Sequence, residues 1–348
     1  MRVLSLYCGG GGIDEGLKQA GITTTTAIDT VKDCCETMRL NHPDTEVIQA
    51  TVEDMEYSLG KYDMVVGGPP CPEFSYANIH RTNDASEVNR FWRIVKSTGA
   101  RHAIMENVRG VLEFLPPDAR DYKRYLINTA NYGVPQIRLR AIVTDLPEAN
   151  HTHSKHGDST LFGGMLKKWV SIRDALELDG ILCDMQERRD NSVTYWKCGD
   201  PAHTVLASDR YMYVPTPDYI LQDRKQQRDP DKPRNRSVDR PSCTIHTDSR
   251  LWLLADVKKA WPQWAESHVI SDISKPSKTI LAKDYGATDK LITDGVLARK
   301  LRVDELAVLQ GFPAAYVFAG SRTSQVKQIG NALPPTVTKA FAENIEAV

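Results

Sequence analysis

Over roughly the first hundred positions, apolar residues fall in short runs separated by amphipathic stretches. Residues 2–8 (RVLSLYC) are mainly apolar and stop at four consecutive glycines, after which 13–20 read as a helix. Strand, turn and helix return with a strand at 24–28 and a helix through residue 41, and a short strand at 47–50 leads to a loop. Strands at 63–66 and 102–105 flank a helix near 88–98. Each strand is short and apolar on both faces, so both faces are covered. The alternation predicts an α/β fold, a doubly wound parallel sheet clothed by helices.

From about residue 151 the βα alternation gives way to mixed polar sequence with prolines, tryptophans and charges, and a domain boundary is placed there. Three similar segments, PAHTV from Pro201, PSCTI from Pro241 and PSKTI from Pro276, each head an expected strand. Their spacings of 40 (241 − 201) and 35 (276 − 241) residues are too uneven for a solenoid, and a small irregular β-rich domain explains them better. Helices are expected at 303–309 and 336–345, the second packing back on the first domain.

The length of 348 residues allows two domains, and 41% apolar with 26% charged residues excludes a disordered or fibrous class. No stretch of ~18 uninterrupted apolar residues offers a membrane span, which predicts a cytoplasmic protein. Seven cysteines (8, 34, 35, 71, 183, 198, 243) are scattered without a CxxC pair, so reduced thiols and no metal are expected. A net charge of −1 gives no general basic footprint. Between residues 222 and 240, however, seven basic residues face four acidic ones, a local excess of +3. Such a run is more often a solvated loop than a binding surface.

The loop Tyr7-Cys8-Gly9-Gly10-Gly11-Gly12 lies between strand and helix, where bare backbone can approach a ligand. Asp29 ends the next strand, where a ribose hydroxyl is bound in nucleotide-binding folds. A tight turn, a dinucleotide site and an S-adenosylmethionine site all fit this loop. More telling is GGPPCPEFS at 67–75, which follows a strand and so sits at the carboxyl edge of the sheet, where open α/β folds bind ligands. A lone cysteine is commonly a small buried hydrophobe. Cys71, flanked by prolines on a rigid loop, reads instead as a nucleophile, since a thiolate can add to an electron-poor ring. Glu106, in MENV, brings a carboxyl group to the same edge one βα unit later, where catalysis is a better reading than a solvated carboxylate. In YGVPQIRLR (132–140), Arg138 and Arg140 share one face of an extended run and suit a phosphate or a pyrimidine carbonyl.

In this order, YCGGGG, PPCPEFS, MENV, PQIRLR, RKLRVDELAVLQGFP (299–313) and QIGNALPP (328–335) resemble the unpermuted cytosine-5 DNA methyltransferase family. The resemblance covers 1 to about 145 and 297–348. It implies a Rossmann-like class I methyltransferase sheet formed by 1–150 with 297–348, and a smaller β-rich target-recognition domain at 151–296. It further implies transfer of a methyl group from S-adenosylmethionine to carbon 5 of a flipped-out cytosine in duplex DNA, leaving S-adenosylhomocysteine. By the same resemblance Cys71 adds to carbon 6 and Glu106 engages ring nitrogen 3 and the amino group. Arg140, helped by Arg138, contacts the base or its phosphate. Cofactor contacts fall on Tyr7, Cys8, Gly9, Gly10, Gly11, Gly12, Asp29, Thr30, Val52, Pro70, Asn331 and Ala332. DNA contacts fall on Ser75, Gln136, Arg224, Lys225, Arg228, Arg234 and Arg236. A monomer is expected, with either a partner restriction endonuclease or an orphan role.

Three departures stand out. Pro72 replaces the family's usual glutamine after the nucleophile. Thr51 takes the place of an aspartate near the adenine amino group, for which Glu53 or Asp54 could substitute. The span 110–131 is short and lacks most of a helix and strand, which predicts a trimmed sheet. Competing readings are a transfer-RNA cytosine-5 methyltransferase, opposed by Gln136 and the large middle region, and a catalytically silent binding homologue, opposed by intact Cys71, Glu106 and Arg140. A nicotinamide dehydrogenase leaves PPC, ENV and GNALPP unexplained.

Overall fold

The computed structural model describes residues 1–70, 84–159, 164–176, 180–184, 192–197, 202–203, 211–215, 245–246, 290–293, 296–300 and 302–345. The chain divides into two compact units, one of Met1–Ser171, Pro201–Ser208 and Val303–Val348, the other of Ile172–Asp200 and Asp209–Arg302. The first half of the chain runs β1 (Val3–Leu6), α1 (Gly12–Gln19), β2 (Thr26–Asp29), α2 (Lys32–Asn41), β3 (Glu46–Gln49), β4 (Met64–Gly67), α3 (Ser86–Thr98), β5 (His102–Asn107), β6 (Lys123–Asn128), β7 (Gln136–Ile137) and β8 (Leu139–Thr144). Then follow β9 (His153–Ser154), β10 (Lys167–Lys168), α4 (Ile172–Leu176), β11 (Gly180–Asp184), β12 (Ser192–Lys197), β13 (Ala202–His203), β14 (Tyr211–Pro215), β15 (Ile245–His246), β16 (Lys290–Thr293) and β17 (Val296–Lys300). The C-terminal helices are α5 (Val303–Leu309), α6 (Arg322–Asn331) and α7 (Pro335–Ala342).

In the first unit a seven-stranded sheet has the order β3-β2-β1-β4-β5-β8-β6. β3 through β5 are mutually parallel, and β8 runs antiparallel between β5 and β6. Because side chains alternate along a strand, neighbouring residues serve opposite cores. Leu4, Val65, Ala103 and Val143 face Phe91, Trp92 and Val95 of α3. Val3, Met64, Ile104 and Ile142 face Ile13 and Leu17 of α1 with Val337 and Phe341 of α7. α7 therefore packs on the first unit, as its sequence suggested. The close α1–α7 approach needs Gly16, since a Cβ there would lie 2.6 Å from Thr338 Cβ and 3.0 Å from Lys339 N.

The sheet is not trimmed as expected. β6 pairs with β8 at six positions, from Lys123↔Thr144 to Asn128↔Leu139. The missing element is the helix, replaced by 3-10 turns at Arg109–Glu113 and Pro117–Ala119. The three proline-headed segments also do not share one domain. β13, which follows Pro201, pairs in parallel with β7 in the first unit, whereas β15, which follows Pro241, belongs to the second. The segment from Pro276 lies outside the described residues. The second unit holds a six-stranded sheet of order β15-β12-β11-β14-β17-β16, antiparallel throughout.

One buried carboxyl burdens the first unit. Asp14 is 1% exposed in the first turn of α1 and accepts a 2.8 Å hydrogen bond from the Thr24 hydroxyl. Burial outweighs that bond and raises its pKa from 3.8 to about 6. The folded chain thus holds the proton more tightly than the unfolded chain. This contribution is complete below the unfolded pKa and is lost as pH rises through the folded one. Asp14→Asn removes the charge and is expected to raise stability at pH 8 by about 2 kcal/mol, several degrees in Tm for a chain of this size. Thermal melts from pH 4 to 8 check this, and an unchanged Tm at pH 8 contradicts it.

Candidate active site

The carboxyl ends of β1, β2, β4 and β5 open onto a cleft of about 610 Å³ in the first unit. After β1 the backbone turns sharply through left-handed Tyr7 (φ 53), Gly9 (φ 54) and Gly11 (φ 76). At Tyr7, a non-glycine residue, this conformation costs about 1–2 kcal/mol. The turn is tied to β2 by Asp29, whose Oδ2 accepts from Gly9 N at 2.9 Å and Oδ1 from Val31 N at 2.8 Å. Behind the loop, Tyr316 donates its hydroxyl to Gly10 O at 2.9 Å and lies 3.3 Å from His42 Nε2. Burial pushes the Tyr316 hydroxyl well up and lowers His42 to about 4, so both are neutral near pH 7.

Of the residues read as cofactor contacts, Tyr7, Cys8, Gly9, Gly10, Gly12, Asp29, Thr30, Val52, Pro70, Asn331 and Ala332 line this cleft. Gly11 is not among the lining residues. Its missing Cβ makes room for the Tyr316 hydroxyl and for Met38 Sδ, which packs behind the loop. Cys8 is buried and its thiol is pushed well up, chiefly by desolvation, so it packs rather than reacts.

The catalytic edge is built by strand register. Glu106 in β5 faces Ile142 in β8, so Arg140, two residues earlier on β8, shares its side of the sheet. Arg140 Nε meets Glu106 Oε1 at 2.9 Å, with 14% and 10% of the two side chains exposed. Gly68 lies against the same carboxylate, where a Cβ would be 3.2 Å from Oε2. Asn107 fixes the adjoining loop, donating Nδ2 to Pro69 O at 3.0 Å while its Oδ1 accepts from Val108 N at 2.8 Å. The chain is thus anchored two residues before Cys71. Cys71 and Ser75 themselves lie outside the described residues, as do Arg224, Lys225, Arg228, Arg234 and Arg236.

Two residues of PQIRLR have other duties. Gln136 was read as a DNA contact, but it has no exposed surface. Its Nε2 donates to Leu309 O at 3.1 Å and to Gln310 Oε1 at 2.7 Å. A side chain so enclosed joins β7 to α5 and cannot reach a nucleic acid without unfolding its surroundings, which corrects that reading. Arg138 lines the cleft at 1% exposure, and its Nη2 donates to Gly330 O at 3.0 Å and Ala332 O at 3.3 Å. It braces the turn carrying Asn331, and those carbonyls at the end of α6 favour a cation.

Sequence reading missed part of the wall. Glu87 and Arg90 line the cleft beside Glu53, which the sequence offered only as a substitute for the absent aspartate; Arg90 bridges both glutamates, and Tyr7 donates its hydroxyl to Glu87 Oε2 at 2.8 Å. The only sequence signal for this group was the i,i+3 spacing of Glu87 and Arg90 on α3. Thr51 and Glu53 line the cleft, whereas Asp54, which accepts the Thr51 hydroxyl at 2.7 Å, does not. Ser324, Lys327 and Gln328 of α6 were missed as well. Among the described residues no group of three His, Cys, Asp or Glu could hold a metal ion, and no helix is long and apolar enough to cross a membrane.

A parallel sheet closed by an antiparallel strand pair, with a glycine turn and an acidic residue at its carboxyl edge, defines a class I methyltransferase fold. The sequence model of the C-5 cytosine-specific DNA methylases matches residues 1–116 and 121–347, and the chain belongs to that family. Type II methyltransferase M.AquIA of Picosynechococcus sp. is 32% identical over 216 residues, 50% of this chain and 87% of the relative. Type II methyltransferase M1.HphI of Haemophilus parahaemolyticus is 26% identical over 378 residues, covering 99% and 86%. The solved methyltransferase EhMeth of Entamoeba histolytica shares the fold with a TM-score of 0.55 at 15% identity, over 99% of this chain and 97% of that one.

Proposed function

We propose that this chain methylates carbon 5 of cytosine in duplex DNA, with S-adenosylmethionine as methyl donor and Cys71 as nucleophile. The observation that carries the reading is the Glu106–Arg140 pair at the rim of a nucleoside-sized cleft, beside the loop that Asn107 anchors ahead of Cys71. The cleft suits the cofactor. At Gly9 a Cβ would meet only Tyr7 O, at 3.9 Å, so the loop leaves open space on the cleft side. Both oxygens of Asp29 accept one backbone N–H, and each keeps a lone pair for a ribose hydroxyl. Tyr7 and Val52 offer apolar surface to a purine. Bound there, S-adenosylmethionine supplies an electrophilic methyl group on a sulfonium sulfur.

The target base must leave the duplex stack, at a cost of a few kcal/mol, for its ring to reach the loop. The Cys71 thiolate forms a bond to carbon 6, and the ring electrons displaced towards carbon 5 make that carbon the nucleophile for the methyl group. A proton carried by the Glu106 carboxyl group passes to ring nitrogen 3 as the thiolate adds, neutralising the charge placed there, and returns to Glu106 when the thiolate leaves; Arg140 holds the Glu106 carboxyl group in place. Loss of the carbon 5 proton to a base and cleavage of the sulfur–carbon 6 bond restore the aromatic ring and the free thiolate.

The proposed division of labour assigns 1–150 with 297–348 to catalysis and 151–296 to target recognition. The proposal extends to a monomeric, cytoplasmic enzyme, and the type II names of the relatives favour a restriction-modification role with a partner endonuclease. Incubating the protein with methyl-labelled S-adenosylmethionine and either duplex DNA or transfer RNA tests the substrate. Label is expected in DNA; label only in RNA, or in neither, overturns the reading.

A further inference from the structure

Basic side chains on the cleft wall differ in how they are neutralised. Arg90 is paired with Glu53 and Glu87, Arg140 with Glu106, and Arg138 is spent on the carbonyls of Gly330 and Ala332. Lys327 also lines the cleft, yet it has no carboxylate within ion-pair distance among the described residues. It is exposed on α6, and while burial raises the pKa of the Cys34 thiol, the nearby Lys327 charge works against that rise. Ser324, Lys327, Gln328 and Asn331 recur at helical spacing, and all four line the cleft. Gln328 is immobilised, accepting from the Thr37 hydroxyl at 2.6 Å and donating to Ala319 O at 3.0 Å. Lys327 is thereby mounted on a fixed helical face one turn before Asn331, a residue read as a cofactor contact.

Resting on the cofactor assignment above, we propose that the Lys327 ammonium binds the carboxylate of the cofactor's amino-acid tail. An amino-acid tail ends in a carboxylate at neutral pH, and this lysine is the lining cation left without a protein counter-charge among the described residues. Lys327 is a binding residue selecting cofactors that keep the tail, and it takes no part in attack on the base.

Calorimetric titration of two ligands tests this. S-adenosylhomocysteine carries the amino-acid tail, and 5′-methylthioadenosine has the same nucleoside and thioether without it. Lys327→Gln is expected to weaken S-adenosylhomocysteine about tenfold, the range of a charge-assisted hydrogen bond. It should leave 5′-methylthioadenosine within about twofold of wild type, and Lys327→Arg should restore most of the loss. Equal weakening of both ligands indicates a general structural role and overturns the proposal. So does unchanged binding of both, or a rise confined to KM for DNA, which makes Lys327 a phosphate contact. If wild type binds neither ligand, the cofactor assignment itself has failed, an outcome distinct from these.

Discussion

Cys71→Ala is expected to lower methyl transfer by at least ~10⁴-fold, because loss of the nucleophile removes the covalent route and leaves only binding and electrostatics. Cofactor affinity should change little. The cleft is formed by the turn after β1, by Asp29 and by α6, and the described lining includes Pro70 and Pro69, the latter tethered by Asn107 independently of the thiol. Duplex DNA carrying 5-fluorocytosine separates a chemical role from a structural one. Fluorine at carbon 5 blocks elimination, so wild type should accumulate a denaturation-resistant protein–DNA adduct that the variant never forms. Residual activity above a few per cent in the alanine variant, or an adduct formed without Cys71, contradicts the assignment.

Glu106→Gln is expected to reduce kcat by ~10²–10³-fold, the usual worth of a group that stabilises charge developing in the transition state. The amide keeps the length and planarity of the side chain but removes the negative charge that meets Arg140 at 2.9 Å. Arg140 is then left 14% exposed without its counter-charge, so stability should also fall modestly. KM for the cofactor should hold, because Asp29 and the loop from Tyr7 to Gly12 are supported separately by β2 and Tyr316. Single-turnover rates with saturating cofactor and DNA measure the effect. A loss below tenfold would remove Glu106 from the chemistry.

Much of the sheet was legible because parallel strands covered on both sides leave a dense apolar signature. Val3–Leu6, Met64–Gly67 and His102–Asn107 are buried at every position and were read within a residue or two. β6 was not legible. It reads KRYLIN, with Lys123, Arg124 and Leu126 exposed, because an edge strand has one side in water and charge there deters edge-to-edge pairing. α6 was missed for a related reason. Its sequence RTSQVKQIGN has few apolar residues, and much of what holds it is polar, Gln328 reaching Thr37, 291 residues away in sequence, and Ala319.

The site was legible where chemistry is local and misread where a partner is distant. Glycine turn, acidic strand end and MENV carboxylate each declare themselves within a few residues, and the fold brings them to one cleft. Gln136 and Arg138 look like ligand contacts in PQIRLR because polar side chains in an extended run suggest recognition. Their partners stand 173 to 194 residues further along, and burial turns both into structural ties. Arg140, two positions on, points to the other side of that distinction because β5 ends beside it.

Nucleoside mass spectrometry of duplex DNA digested after reaction with S-adenosylmethionine tests the central claim most directly. The predicted product is 5-methyl-2′-deoxycytidine, absent from the Cys71→Ala reaction. Methyl found instead on the exocyclic nitrogen of cytosine or adenine, or no modified deoxynucleoside at all, would contradict the account.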